Sequence, residues 1–314
     1  MEQREMKIPM SGKKKMSEAK KKEFIFLCCM MALPVIQWLV FWLFTNASTI
    51  ALAFQDGKTG SFTFDNFSLF WEELTASYGR IGEAVQNTFI YFLTSLCIIM
   101  PGGLVIAYFL YKRILFYKGF RVIFYFPAII SAVAMVAVYS NFVQADGPLE
   151  KIVNLFGGTL PDRSLLARPE TATTMIVIYC IWTGFCTNIL LFSGAMVRIP
   201  IEILESAKLE GCGTLRELVQ IILPLIWPTL STQIILVFTG LFTASGPIKL
   251  FTNGAFETMT IAHWIFLQVY GTGRIGGTGS YNLVSATGLC FTIVGVPIIL
   301  FIRWLMDKIP SVEY

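Results

Sequence analysis

Residues 205–224 read ESAKLEGCGTLRELVQIILP and separate two long apolar runs of the chain. Helical periodicity across residues 201–210 puts four side chains on one face: Ile201, Leu204, Ala207 and Lys208. Two glycines and two prolines follow in order: Gly211, Gly213, Pro224 and Pro228. Glycine permits the left-handed or tight backbone that ends a helix, and proline bends or starts one. The pattern therefore predicts a short helix, a glycine turn and a second helix held at a fixed angle to the first.

The flanking apolar runs belong to a set of six. The chain has 314 residues, of which 55% are hydrophobic and 14% charged, and its mean hydropathy of +0.67 is too high for an ordinary soluble domain. A helix needs about 20 apolar residues to cross a hydrocarbon core. Six runs without Asp, Glu, Lys, Arg or His are long enough: 24–44, 84–111, 122–145, 171–197, 218–248 and 275–302. Because these runs are continuously apolar and do not alternate, they indicate helices rather than a β-barrel.

We therefore predict an all-α membrane protein with six transmembrane helices. A basic tail occupies residues 1–23, and a transmembrane domain occupies residues 24–308. Its spans are predicted at about 24–44, 84–111, 122–145, 171–192, 222–245 and 278–302, with the loop 198–224 joining the fourth and fifth.

The distribution of basic residues predicts the orientation. With the N-terminus in the cytoplasm, the inner segments hold seventeen of the 24 Lys and Arg residues, and the outer segments hold seven, mixed with acids. The positive-inside rule therefore predicts that both termini are cytoplasmic. The first run could instead be a cleaved signal peptide, but it is longer than the usual apolar region and lacks a small-x-small cleavage site.

The cysteine and histidine content points to neither a metal site nor a histidine-based catalytic site. Seven cysteines lie in spans or in the inner loop without metal-ligand spacing, which is typical of small apolar fillers. The single histidine, His263, falls in an outer segment and is expected to be a free surface side chain. The net charge of +4 needs no nucleic acid partner, and residues 13–22 act as a topology signal or bind anionic lipid.

Two outer segments have helical patterns. Within residues 45–83, apolar side chains at helical spacing predict a short helix on the membrane face: Phe67, Phe70, Trp71 and Leu74. Residues 258–270 contain aromatics suited to a membrane interface, among them Trp264. This second segment is expected to be a surface or re-entrant helix, since it is short for a seventh span.

Two stretches resemble nucleotide-binding motifs but lack the required context. Gly57-Lys58-Thr59 has Leu52 where a P-loop needs its first glycine. Gly271-x-Gly273-x-x-Gly276 lies in a loop before a membrane span, not between a strand and a helix. Neither stretch predicts ATP hydrolysis by this chain.

The stretch that opened this section resembles a known motif. Glu205-Ser206-Ala207-x-x-Glu210-Gly211-Cys212, with Leu218, Ile221 and Leu223-Pro224 after it, is similar to the EAA loop of bacterial ABC importer permeases. The family pattern has Ala, Asp, Ala and Phe where this chain has Ser206, Glu210, Cys212 and Leu218. Arg198-Ile199-Pro200 before the motif and Leu225-Ile226-x-Pro228 after it also match.

The resemblance implies a type I ABC importer permease, located as a multi-pass protein in the bacterial cytoplasmic membrane. Loop 198–224 would then dock on an ATPase subunit and carry its closure into the spans. The coupling residues implied are Glu205, Ser206, Ala207, Glu210, Gly211, Cys212, Leu223 and Pro224. The implied partners are a second, similar permease, two ATPase subunits that bind ATP and Mg²⁺, and an extracytoplasmic solute-binding protein. The chain itself would hold no cofactor and would not be an enzyme.

Further short motifs point to the carbohydrate-uptake, maltose-permease-like branch of this family. They are Asn87-Thr88, Gly119-Phe120-Arg121 before Phe126-Pro127, Gly147-Pro148-Leu149 and Thr252-Asn253-Gly254. The resemblance therefore implies that the substrate is a sugar or an oligosaccharide.

Polar and aromatic side chains within the spans are candidates for the substrate path, because polar groups in a membrane either line a cavity or pair between helices. The candidates are Tyr139, Asn141, Trp182, Thr183, Thr187, Asn188, Gln233, Thr239 and Phe242. Either role is open for each of the polar residues, and Trp182 and Phe242 are candidates to stack on a sugar face. In the maltose-permease relatives the span after the EAA loop contacts sugar, whereas residues 237–245 here are mostly apolar or small, so the partner permease is an alternative holder of the substrate.

Three other functions are weighed against a sugar importer. A permease for a peptide, an amino acid or phosphate would share the same loop. An ion-coupled secondary transporter would need ionisable side chains within the spans, and none of the six runs contains one. A membrane enzyme would need a catalytic constellation, which the sequence does not provide.

Overall fold

The computed structural model describes residues 18–57, 59–76, 80–270 and 280–309. Most of the basic tail and the glycine motif at 271–276 lie outside these residues. The chain divides into two compact units, the first ending at Leu52 and the second starting at Ala53.

The first unit is a single helix, α1. It begins as Glu18–Trp38, continues as the π-helical turn Leu39–Phe44 and ends as Thr45–Ala53, whose last residue opens the second unit. The helix therefore extends past the predicted end at residue 44. Residues 45–53 contain no glycine or proline that would stop it.

The second unit is built from helices and their connecting loops, in agreement with the all-α prediction. In chain order these are α2 (Asp65–Thr75), α3 (Arg80–Tyr111), α4 (Tyr117–Ile129), α5 (Ala132–Val143), α6 (Pro148–Leu155), α7 (Pro169–Met196), α8 (Ile201–Leu209), α9 (Thr214–Leu225), α10 (Trp227–Thr239), α11 (Ile248–Phe251), α12 (Ile261–Tyr270) and α13 (Ser280–Asp307). Short π-helical turns, Ser95–Ile99 and Leu218–Ile222, lie within α3 and α9.

Among the described residues, four helices are long and apolar enough to cross a membrane, and two bent pairs bring the number to six if each pair is one span. Large apolar side chains on these helices are exposed to the surroundings of the chain, including Ile123, Phe126, Ile293 and Leu300. Exposed apolar surface of this extent is expected where lipid, and not water, is the solvent.

The third predicted span, 122–145, is not one continuous helix. Helix α4 ends at Ile129, and the helical segment that starts at Ala132 is bent by 112° relative to it. Ile130 has an extended backbone and Ser131 has a ψ of 134°, so the hydrogen-bond ladder restarts where Met135 N–H donates to the Ser131 carbonyl. Pro127, two residues before the end of α4, contributes to the break because it cannot donate a backbone hydrogen bond.

The fifth predicted span bends where its prolines predicted a bend. Helices α9 and α10 meet at Ile226 with an angle of 79°, and Pro224 and Pro228 lie on either side. Proline lacks the N–H that would continue the ladder across this point. Helix α10 then ends at Thr239, before the predicted limit at residue 245.

Two buried apolar clusters surround the two ends of α3. The first, here called the C-end core, packs residues of α3, α7, α8, α9 and α10 together, including Leu104, Tyr108, Phe192, Leu204, Leu218 and Ile222. The second, the N-end core, packs α2, α3, α12 and α13 together, including Phe70, Ile81, Ala84, Trp264 and Leu283. Helix α3 therefore connects the two ends of the second unit.

Helix α12 argues against the surface alternative for residues 258–270 and corrects the expectation for His263. It lies against α3 and α13 instead of on the surface, and both His263 and Trp264 are buried. His263 is thus not a free surface histidine, since its ring stacks on Phe266 with 6.1 Å between centroids. The expected helix around Phe70 is present as α2, and the Phe70 ring packs on Phe291 of α13.

Candidate coupling loop and transport path

Helix α8 ends in a glycine turn that the sequence predicted. Gly211 has a φ of +75°, in the left-handed region. Its N–H donates to the carbonyl of Lys208 over 3.0 Å, and the N–H of Cys212 donates to the carbonyl of Ala207 over 2.9 Å. These two bonds define a Schellman motif, in which glycine is favoured at the left-handed position. A Cβ at Gly211 would meet no other atom of this chain within 4 Å, so the backbone conformation alone requires glycine here.

Two side chains attach α8 to the rest of the unit. Leu204 and Ala207 are buried, and Leu204 belongs to the C-end core. The sequence predicted one helical face made of Ile201, Leu204, Ala207 and Lys208. Fewer of these residues are buried than that face would suggest, because Ile201 and Lys208 are exposed. Ile201 lies in the first turn, where the helix has not yet reached the core.

The outward face of α8 carries most of the predicted coupling residues. Glu205, Ser206 and Glu210 are exposed, and Leu209 next to them is 90% exposed. Ser206 donates a hydrogen bond to the Glu202 carbonyl of its own helix, at 2.9 Å. The side chains of this face are thus accessible to another molecule.

The remaining predicted coupling residues are half-buried and shape the backbone of the loop. Cys212 is half-buried and supplies the second Schellman hydrogen bond through its backbone. Leu223 and Pro224 are half-buried in the last turn of α9, next to the break at Ile226. They fix the direction in which the chain leaves the loop.

Sequence reasoning missed a buried ion pair beside this loop. The Lys112 Nζ lies 2.5 Å from the Glu217 Oε1, and the Glu217 side chain is only 3% exposed. Nearby, the Tyr108 hydroxyl donates to the Thr214 carbonyl over 3.0 Å. No local pattern joins these residues, because one member of each pair lies at the end of α3 and the other at the start of α9.

Among the predicted path residues, Asn188 and Gln233 are brought together. The Gln233 Nε2 donates to the Asn188 Oδ1 over 3.2 Å, linking α10 to α7, and the Asn188 Nδ2 donates to the Gly184 carbonyl. Gly103 of α3 lies against Asn188, where a Cβ on Gly103 would come within 2.5 Å of the Asn188 Cβ. This geometry favours interhelical hydrogen bonding for the pair.

A second group of predicted path residues lies around α5 and α7. Tyr139 donates to the Met175 carbonyl over 2.8 Å, and its ring packs on Tyr179 and Phe251. Trp182 packs into the same aromatic cluster. The hydroxyl of Thr183 donates within its own helix, and the side chains of Asn141 and Thr187 are exposed.

The last two predicted path residues line a cavity between α10, α12 and α13. Thr239 and Phe242 border this space of about 300 Å³, and the Phe242 ring packs on Phe291 with 4.9 Å between centroids. Gly288 and Gly295 of α13 also line this space, and a Cβ on Gly295 would come within 3.0 Å of the Phe242 ring. Aromatic faces with a few hydroxyl groups make a surface on which a sugar ring can stack.

At the other end of α3, polar side chains hold a loop in place. Asn87 donates to the carbonyls of Glu257 and Met259 over 2.9 and 2.8 Å. The Thr88 hydroxyl accepts from the Ile261 N–H, and the Glu83 carboxylate accepts from the Met259 N–H. The Asn87-Thr88 motif of the sequence thus fixes the backbone that leads into α12.

Comparison with known proteins agrees with this geometry. The model of a family described as the binding-protein-dependent transport system inner membrane component matches residues 99–310. A probable ABC transporter permease protein of Mycoplasma genitalium is 30% identical over 236 residues, which cover 72% of this chain and 70% of the relative. The multiple sugar-binding transport system permease protein MsmF of Streptococcus mutans is 22% identical, and the alignment covers 87% of this chain and 92% of the relative.

A longer relative and two solved structures add to these matches. The maltose/maltodextrin transport system permease protein MalF of Klebsiella aerogenes is 26% identical over 76% of this chain and 48% of its own length. A chain of a bacterial ABC transporter involved in alginate import superimposes with a TM-score of 0.77 at 22% identity, covering 93% of this chain and 98% of that one.

The same kind of transporter in complex with an alginate pentasaccharide-bound periplasmic protein gives a TM-score of 0.78 at 21% identity, with coverage of 95% and 99%. At these identities the likeness shows the fold, which is that of an ABC importer permease. Because the family model spans more than half of the chain, this protein belongs to the binding-protein-dependent transport system inner membrane components, the permease subunits of ABC transporters.

Proposed function

We propose that this permease imports a sugar or an oligosaccharide by alternating access, driven by ATP hydrolysis in partner subunits. The observation that carries the proposal is helix α8, a short helix with an exposed polar face that is fixed to the helices of the membrane domain through Leu204. The relatives named for sugar transport support the class of substrate.

The coupling step follows from the exposed side chains and the turn of loop 198–224. An ATPase subunit would contact the exposed Glu205, Ser206 and Glu210, with Leu209 as an apolar anchor. The Schellman turn at Gly211 and the half-buried Pro224 keep the direction of α8 relative to α10 fixed. Movement of α8 would therefore be passed to the helices that it contacts instead of being absorbed by the loop.

We assign the substrate path to the cavity beside Thr239 and Phe242, with the rings of Phe242 and Phe291 as stacking surfaces. Asn188 and Gln233 are assigned to interhelical hydrogen bonding, since they bond to each other. Tyr139, Asn141, Trp182, Thr183 and Thr187 remain candidates for the path on the α5 and α7 side.

The proposed complex has a second permease, two ATPase subunits that bind ATP with Mg²⁺, and an extracytoplasmic solute-binding protein. Both termini of this chain would face the cytoplasm, as its excess of basic residues on that side predicts. The loop 198–224 then lies on the ATPase side. In this arrangement the chain contributes no covalent chemistry.

Reconstitution into proteoliposomes with the cognate partners tests this function. ATPase activity is measured with binding protein loaded in turn with a panel of glycans, amino acids and peptides, and with unloaded binding protein as the control. We expect stimulation by at least one glycan, together with its uptake. Stimulation by an amino acid or a peptide alone would reject the sugar assignment, and uptake driven by an ion gradient without ATP would reject the importer mechanism.

A further inference from the structure

The Lys112–Glu217 ion pair differs from the others in the described part of the chain. Arg168–Glu170 and Arg303–Asp307 join neighbours in sequence, and their side chains are between 36% and 70% exposed. Lys112 and Glu217 join two distant segments, and the Glu217 carboxylate is almost fully buried. A buried carboxylate is strongly unfavourable unless it is paired, so Lys112 is needed wherever Glu217 is buried.

A second contact lies one helical turn from the ion pair on each segment. The fully buried Tyr108 donates its hydroxyl proton to the Thr214 carbonyl, and the Lys112 Nζ lies 5.8 Å from the centre of the Tyr108 ring. Thr214 and Glu217 are the two ends of the first turn of α9, which directly follows the glycine turn of α8. The two contacts therefore tie the base of the coupling loop to the end of α3.

The path along the chain from α8 into the membrane is bent, whereas α3 has no such break. After α9 the helix axis turns by 79° at Ile226 before α10 begins. Helix α3 runs from Arg80 to Tyr111 and packs closely on α7, where a Cβ on Gly102 would come within 2.7 Å of the Phe185 ring. A displacement of α8 thus has a direct mechanical route into α3 and α7 through Lys112 and Glu217.

We propose that Lys112 and Glu217, supported by Tyr108, are positioning residues that make the second span move together with the coupling helix. The inference rests on the proposed function, because it requires that α8 is moved by an ATPase. The pair couples nucleotide-driven movement to α3, and the polypeptide connection through α10 is a second route.

The test compares glycan transport with ATP hydrolysis in the reconstituted complex, using the full chain and its partners. In Glu217→Gln, which keeps the shape of the side chain, and in Lys112→Met, glycan imported per ATP hydrolysed should fall by about fivefold or more, the lower end of typical coupling between sites. Lys112→Arg, which preserves the ion pair, should retain the wild-type ratio. Lys118→Met, which removes an exposed cation from the first turn of α4, is the matched control and should also retain it.

The ratio separates coupling from a merely structural role. A variant that only folds less well loses transport and ATPase activity together, so its ratio stays that of the wild type. A wild-type ratio in Glu217→Gln and Lys112→Met would therefore overturn the inference while leaving the proposed function intact. Failure of the unmodified complex to couple glycan uptake to ATP hydrolysis would instead reject the proposed function, and the inference with it.

Discussion

The loops at the two ends of α3 use polar side chains in opposite ways. In loop 198–224, Glu205, Ser206 and Glu210 are exposed on α8, and their carboxylates and hydroxyl are available to another molecule. At the loop before α12, Asn87 and Glu83 of α3 instead form hydrogen bonds with the backbone of Glu257 and Met259. The first arrangement suits a surface that contacts a partner, and the second suits a rigid support.

This difference separates side chains that stabilise the fold from side chains that are available to bind a partner. The exposed face of α8 contributes little to the stability of this chain, so its composition is free to follow a partner's surface. Replacing the side chains that hold the loop before α12 removes hydrogen-bond partners from backbone groups of Glu257, Met259 and Ile261, which is costly where those groups are buried. Substitutions at the two ends of α3 should therefore have different consequences for stability and for transport.

The largest expected effect is loss of the apolar attachment of α8. Leu204→Ala should destabilise the protein by about 2–5 kcal/mol, because it opens a cavity in the C-end core. Leu209→Ala, in the same helix but 90% exposed, is the matched control. The free energy of unfolding in mixed micelles measures both, and equal stability of the two variants would contradict the assigned faces of α8.

The next effect concerns the opposite end of α3. Asn87→Ala should cost about 1–3 kcal/mol, because the Met259 carbonyl loses its donor in a buried site and the Glu257 carbonyl, which also accepts from the Thr173 hydroxyl, loses one of its donors. Asn154→Ala removes an exposed asparagine from α6 and serves as the control. Thermal unfolding gives the stability, and transport per ATP should be unchanged. A change in that ratio would show that this loop is more than a support.

At Gly211 the expected cost is local. Gly211→Val should disfavour the left-handed backbone by about 1–2 kcal/mol, uncoupling uptake from ATP hydrolysis while assembly in the membrane remains possible. Gly211→Asn is the control, since asparagine tolerates this backbone and no other atom of the chain lies near the added Cβ. If Asn also uncouples transport, the glycine is required for the approach of a partner rather than for the backbone. Normal uptake by the Val variant would contradict the role of the turn.

The smallest effect is expected within the membrane domain. Gln233→Leu removes the hydrogen bond to Asn188 and should cost about 0.6 kcal/mol, the average for polar contacts between membrane helices. The apparent KM for the transported glycan should not change. Thr239→Val, beside the cavity, provides the comparison. If Gln233→Leu raised the KM and Thr239→Val did not, Gln233 would belong to the substrate path and Thr239 would not.

The sequence could predict features that depend on neighbours along the chain. The absence of charge over about 20 residues predicts a span. The spacing of Leu204 and Ala207, followed by Gly211, predicts a helix and its end, and Pro224 with Pro228 predicts the bend at Ile226. Helix formation, the left-handed backbone of a glycine and the geometry of a proline depend on a few neighbouring residues. They can therefore be predicted from the sequence.

Only the tertiary structure decided which distant side chains meet. Asn87 and the carbonyl of Glu257 are 170 residues apart, and nothing in either segment identifies the other. The same holds for Lys112 with Glu217, and for the burial of His263, which depends on how α12 packs on α3 and α13. By itself the sequence determined the apolar runs and the form of loop 198–224, because these follow from local backbone chemistry and from the cost of charge in lipid. Packing determined the contacts that anchor the loop, because a polar group removed from water bonds to whichever partner the fold brings to it.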